Sequence, residues 1–219
     1  MTAFSEHPAE QPELVRLTQV SDGWLKKYVM EYRLPDGSTK EYESVSRKNA
    51  ADYEAELRRP AGTPAHTDAV SIVATTDDDE ILLIKEFRYP LNAWCVAFPA
   101  GLREGNEPIE ECVERELREE TGYAVKRRAD GTPQLRALPQ PSYSSNGMTE
   151  ECLSIVRAKV YRAGEQETEP SEFIQVFPLK IADIPQFLER NRLPIGSRCQ
   201  LVLESYADRI GPGSDACLE

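Results

Sequence analysis

Apolar residues recur along this chain with two periods, every second position in some stretches and every third or fourth in others, and the change from one to the other marks out its elements. From Leu14 to about Arg47, the runs VRLTQV, LKKYVMEYRLP and STKEYESVSR read as strands, with Leu34-Pro-Asp-Gly-Ser38 supplying a turn. They predict a small antiparallel unit. Asn49 to about His66, rich in Ala, Arg and Pro, reads as a connection. AVSIVAT and EILLIKEFRY, separated by Asp77-Asp78-Asp79, predict a hairpin, and CVAFPAG follows as a strand. Further strands are expected at Tyr123 to Lys126, Gln134 to Leu138, Cys152 to Val160 and Phe173 to Leu179. Glu165 to Glu172 reads as an acidic surface loop. Ile184 to Asn191 predicts a short helix, and Gly196 to Ile210 a longer one with Leu201, Val202, Ser205 and Tyr206 turned inward. The expected division is a flexible start over 1–13, an N-terminal β domain over 14–65, a larger domain over 66–210 and a disordered tail over 211–219. Strands flanking one central helix and closed by another give an α/β sandwich with a mixed sheet.

That central helix carries the chemistry. Entered at Pro108, with about 100° per residue, it places Ile109, Cys112, Val113 and Leu117 on one apolar stripe. Glu116 and Glu120 fall inside the stripe and Glu119 at its edge. Carboxylates on a face due for burial are costly unless a cation neutralises them. Convergent oxygen ligands suit Mg²⁺ or Mn²⁺.

Composition narrows the partners. A formal charge of −12 argues against non-specific binding to nucleic acid or anionic membrane. No apolar run reaches spanning length, and the first residues lack signal-peptide character. Five scattered cysteines without a CxxC pair read as reduced thiols in a cytoplasmic protein. His7 and His66 both lie far from the acidic helix in sequence, which gives histidine base chemistry little support.

The spacing of Gly101, Glu107, Arg115, Glu116, Glu119, Glu120 and Gly122 resembles the Nudix box, all seven fixed positions being filled. The resemblance implies a Nudix-type α/β/α sandwich with a mixed sheet, and hydrolysis of a phosphoric anhydride linked to a nucleoside. It is strongest to the ADP-ribose pyrophosphatase group, over roughly residues 20 to 207. The group's pattern implies an N-terminal swapped domain in a homodimer, with Trp24 and Tyr42 as the two plates around an adenine. Arg47 and Arg88 match positions that hold substrate phosphates. Phe98-Pro99-Ala100-Gly101 matches an element whose alanine carbonyl ligates metal. The implied metal shell is therefore the Ala100 carbonyl, Glu116 and Glu120, with Glu119 completing a second site. Arg115 would orient a box glutamate, and Glu107 would anchor the loop.

The loop from Pro139 to Glu151 aligns with one whose glutamate activates water. Alignment on Gly147 and Thr149 selects Glu151, with Glu150 as the alternative. Two departures stand out: Ala97 where the group carries glutamate, and Asn146 where it carries proline. The expected reaction converts ADP-ribose and water to AMP and ribose 5-phosphate. GDP-mannose, dinucleoside polyphosphates and NADH stay open as other substrates, as does a nucleotide-sensing module without turnover.

Overall fold

The computed structural model describes residues 11–60, 63 and 66–210. The disordered tail expected over 211–219 and the first ten residues of the flexible start expected over 1–13 lie outside the described residues, while Glu13 already opens a strand. The chain forms two compact units, residues 1–66 with 143–152 and residues 67–142 with 153–219.

In the first unit, β1 (Glu13–Gln19), β2 (Lys26–Arg33) and β3 (Thr39–Ser46) make an antiparallel meander. Gly37, at φ 83°, closes the β2–β3 turn, a backbone conformation that L side chains resist. The stretch after β3 is not the plain connection its composition suggests. It contains α1 (Ala50–Leu57), capped by the Asn49 side chain, which accepts the Asp52 N–H at 3.0 Å. Tyr53 is buried and Leu57, one turn on, half-buried. Tyr53 meets Tyr28 edge-on at 4.9 Å and joins Leu14 and Met30 in a small core. The later arginines and prolines hide this short amphipathic pattern in an average over the whole interval.

The second unit is built on a mixed sheet. Its elements run β4 (Ala69–Thr75), β5 (Glu80–Arg88), β6 (Ala93–Ala97), β7 (Ala100–Leu102), α2 (Ile109–Thr121), β8 (Tyr123–Val125), β9 (Leu135–Ala137), β10 (Ser142–Tyr143), β11 (Cys152–Arg162), β12 (Ile174–Lys180), α3 (Ile184–Arg190) and α4 (Ser197–Ile210). The sheet order is β10-β11-β4-β5-β12, with β6 on β5, β7 on β4, and β8 and β9 on β11. β11 and β4 are parallel, whereas β5 pairs antiparallel with β4, β6 and β12. Pro178 is accommodated because β12 is an edge.

β4 is buried along almost its whole length because both sheet faces are covered. On one face Val70, Ile72, Ala74, Val156 and Val160 pack against Cys112, Val113 and Leu117 of α2. On the other, Val73, Ile81, Leu83 and Val96 pack against Ile184, Cys199 and Leu203 of α3 and α4. This is the expected α/β/α sandwich. The inner side of α4 is rotated from its expected phase: Cys199 and Leu203 are buried, Val202 and Tyr206 half-buried, while Leu201 is 69% exposed and Ser205 is exposed. The ring of apolar groups from β5, β6 and α3 selects Leu203 over Leu201, which periodicity alone leaves equivalent.

Candidate active site

The strand β7 and the loop after it deliver the chain to α2. The helix starts behind Pro108, carries Glu110 and Glu111 in its first turn, and ends at Gly122 with φ 70°. Two contacts fix these ends. A Cβ at Gly122 would drive into the Gly164 carbonyl oxygen, and one at Gly101 would overlap the Glu116 carboxylate. Gly101 is thus the floor on which an acidic group rests.

The apolar stripe holds Cys112, Val113 and Leu117 fully buried, and Glu116 and Glu120 are buried among them at 8% and 6% exposure. Burial raises the pKa of both carboxyls, that of Glu120 well above the usual range. Glu120 accepts one backbone N–H, from Ala100, at 2.9 Å. Arg115 organises the rest of the helix face. It grips Glu107 through two hydrogen bonds of 3.0 and 2.9 Å, reaches Glu116 at 2.7 Å and Glu119 at 3.3 Å, and donates to the Leu102 carbonyl at 2.9 Å. This grip, aided by the Glu104 N–H, lowers the Glu107 pKa to about 2.

Arg88, the remaining expected site residue of this unit, pairs with Glu86 at 2.9 Å. Trp24, Tyr42, Arg47, Glu150 and Glu151 belong to the first unit. Trp24 is 76% exposed, which excludes a core role. Tyr42 is half-exposed, and its hydroxyl donates to the Gly147 carbonyl at 2.8 Å. Tyr42 pairs with Met30 in the hairpin, whereas Trp24 lies in the bend that precedes β2. Arg47 forms an ion pair with Glu151, and Glu150 accepts from Ser46 at 2.6 Å and from Lys48 at 3.2 Å.

The model of the NUDIX domain matches residues 65–195. The chain belongs to the Nudix family. Among its relatives, an ADP-ribose pyrophosphatase of Bacillus subtilis is 29% identical over 164 residues, covering 74% of this chain and 74% of that one. An ADP-ribose pyrophosphatase of Saccharomyces cerevisiae is 28% identical over 170 residues, covering 74% and 66%. A solved structure of an ADP compounds hydrolase shares the fold at a TM-score of 0.67 and 19% identity, over 95% of this chain and 99% of that one.

The donor set of this Nudix hydrolase fits a divalent cation. Glu116 and Glu120 offer hard oxygen donors whose charge burial penalises, a penalty that a bound cation would offset. Among the described residues, however, no three acidic side chains stand as a ready-made ion cage. Glu116 is turned toward Arg115 and Glu120 toward the Ala100 amide, so the carboxylates must swing to take up an ion.

Two carboxylates escape the box pattern. Glu86 is partly buried, its pKa raised by burial, and its charge adds to the field on Glu120. On β5 it lies two residues from Ile84, the cross-strand partner of Ala97, so Glu86 is a diagonal neighbour of the position where the resemblance expects glutamate. A charged residue inside the apolar run EILLIKEFRY is the signal that marks it. Glu172, read from sequence as surface loop, raises the pKa of Glu86, Glu116 and Glu120 alike. Nothing in its local sequence reveals this; the return of the chain into β12 brings it there.

Proposed function

We propose that this Nudix hydrolase cleaves the pyrophosphate bond of ADP-ribose, giving AMP and ribose 5-phosphate with Mg²⁺ or Mn²⁺ as cofactor. The observation that carries the reading is the pair of buried glutamates, Glu116 and Glu120, held above Gly101 without enough fixed positive charge to balance them. The relatives' activity on ADP-ribose supports the substrate.

In this reading Glu116, Glu120 and the Ala100 carbonyl bind the ion and Glu119 contributes to a second site. A cation bound there would lower the pKa of attached water and neutralise phosphate oxygens. Arg115 keeps Glu116 aimed, and Glu107, itself locked to Arg115, fixes the loop. Arg47 and Arg88 take the substrate phosphates, exchanging them for Glu151 and Glu86. Trp24 of one chain and Tyr42 of another stack on adenine in a homodimer, a reading supported by the exposure of both rings. A cytoplasmic setting accords with four buried free thiols among the described residues.

The general base in this reading is Glu151, with Glu150 as the alternative: Arg47 holds Glu151 and frees it on turning to the substrate phosphates. Glu150 is the more firmly held of the two, accepting from both Ser46 and Lys48. Steady-state kinetics with Mg²⁺ on ADP-ribose, ADP-glucose, GDP-mannose, NADH and a dinucleoside polyphosphate tests the substrate. AMP released fastest from ADP-ribose is expected; brisk turnover of another member with ADP-ribose inert overturns the assignment. Glu151→Gln should reduce kcat by roughly 10²–10⁴-fold, and a larger loss in Glu150→Gln moves the base to Glu150.

A further inference from the structure

A cleft separate from the acidic helix lies within the catalytic unit, on the sheet face turned away from α2. It is open to solvent and has a volume of about 490 Å³, within the range of small-molecule sites. Its walls carry Arg128, Arg136, Arg157 and Lys159 against one carboxylate, Asp79. In a chain of net charge −12 this is a concentrated reversal of sign.

The strand register explains where the charges come from. β11 alternates after Val156, with Val156, Ala158 and Val160 buried toward α2, and Arg157 and Lys159 exposed on the far side. Arg136 of β9 stands directly opposite Arg157. Like charges in that relation destabilise a sheet. No ion pair relieves them among the described residues. Arg128 donates to the Pro133 carbonyl at 2.9 Å and Lys159 to the Thr76 carbonyl at 3.4 Å, both neutral acceptors. Leu135, Ile181 and Tyr206 complete the wall with apolar and aromatic surface.

We propose that this cavity binds a nucleoside polyphosphate, its phosphates on Arg136, Arg157 and Lys159 and its base against Leu135, Ile181 and Tyr206. The site is separate from the Nudix box, because the carboxylates of α2 occupy the opposite side of the sheet. Four donors on two strands and a loop suit a chain of phosphates, and the apolar wall distinguishes a nucleotide from bare polyphosphate. The inference is independent of the substrate assigned to the box.

Calorimetric titration of the full chain with ATP, and separately with inorganic triphosphate, tests it without divalent cation, so that metal-assisted binding at the box does not contribute. ATP is expected to bind at least tenfold tighter than triphosphate, and to weaken steeply with salt. Arg136→Gln/Arg157→Gln should lose at least tenfold in ATP affinity while hydrolysis at the box is unchanged. Arg157→Lys, which keeps the charge, should retain most of the binding. Undetectable ATP binding at millimolar concentration overturns the proposal. So does an affinity that falls in Arg88→Gln but not in the double variant, which would place ATP at the box. Equal affinity for ATP and triphosphate overturns the nucleoside assignment.

Discussion

Replacing Gly101 with alanine separates the fold from the chemistry. The added Cβ lies 1.9 Å from the carboxylate of Glu116, so that group must retreat by about 1.5 Å to reach ordinary contact near 3.5 Å. The obstacle is the far end of a flexible side chain, and the φ of Gly101 is not positive, so the backbone can stay where it is. Stability then changes through opposed small effects. The unfolded chain loses entropy, worth about 0.4–1 kcal/mol in favour of folding, and the 2.7 Å hydrogen bond from Arg115 is weakened, costing about 1.5–3 kcal/mol. A net loss of roughly 1–2 kcal/mol is expected. Activity should suffer far more, because a displacement of about 1 Å at a catalytic group costs on the order of 10²-fold.

Urea unfolding and metal-dependent AMP release from ADP-ribose, measured on the same preparation, give the two numbers. In a Glu116→Ala background the alanine at 101 meets no carboxylate, so its cost to stability should vanish, a coupling that a double-mutant cycle reads directly. Wild-type turnover in Gly101→Ala would refute the reasoning. So would unfolding of the single variant, since it would mean that the Glu116 carboxylate cannot yield.

Gly122→Ala should instead damage the fold, because its φ of 70° and the Gly164 carbonyl leave no room for a Cβ; a loss of at least about 1 kcal/mol is expected in the same urea assay. Trp24→Ala should leave stability within about 0.5 kcal/mol, since the ring is exposed, while raising KM for ADP-ribose more than it lowers kcat; an unchanged KM removes Trp24 from the substrate site. For protein stripped of divalent ions, the raised carboxyls Glu116 and Glu120 bind protons more tightly folded than unfolded. Their contribution to stability is therefore present below about pH 4.5 and is lost as pH rises through their folded values, whereas that of Glu107 is present above pH 4.5 and lost as pH falls toward 2. Thermal melts from pH 4 to 8 should thus show a decline that Mn²⁺ reverses and Glu120→Gln reduces, and a flat profile in wild type contradicts the burial argument.

Much of the site was legible before folding. A 3.6-residue period with glutamates inside its apolar stripe can be read from letters alone, because an α-helix converts spacing into direction. The spacing of Gly101, Glu107 and Arg115 to Gly122 likewise pointed to the family. The β4–β5 hairpin, the αL stop at Gly122 and the mixed sheet followed from local turn chemistry and alternation.

What the sequence by itself determined, then, were features whose cause is local: period, caps, turns and the motif that spans one loop and one helix. Only the tertiary structure could decide the rest. It selected Leu203 over Leu201 for the inner side of α4, and it allotted residues 143–152 to the first unit, where Arg47 holds Glu151. It also brought Glu86 and Glu172 into the field of Glu120, and set Arg136 opposite Arg157 across a strand pair. Those relations join residues tens of positions apart, and the free energy that fixes them comes from burying whole faces together, a quantity no single stretch of chain contains.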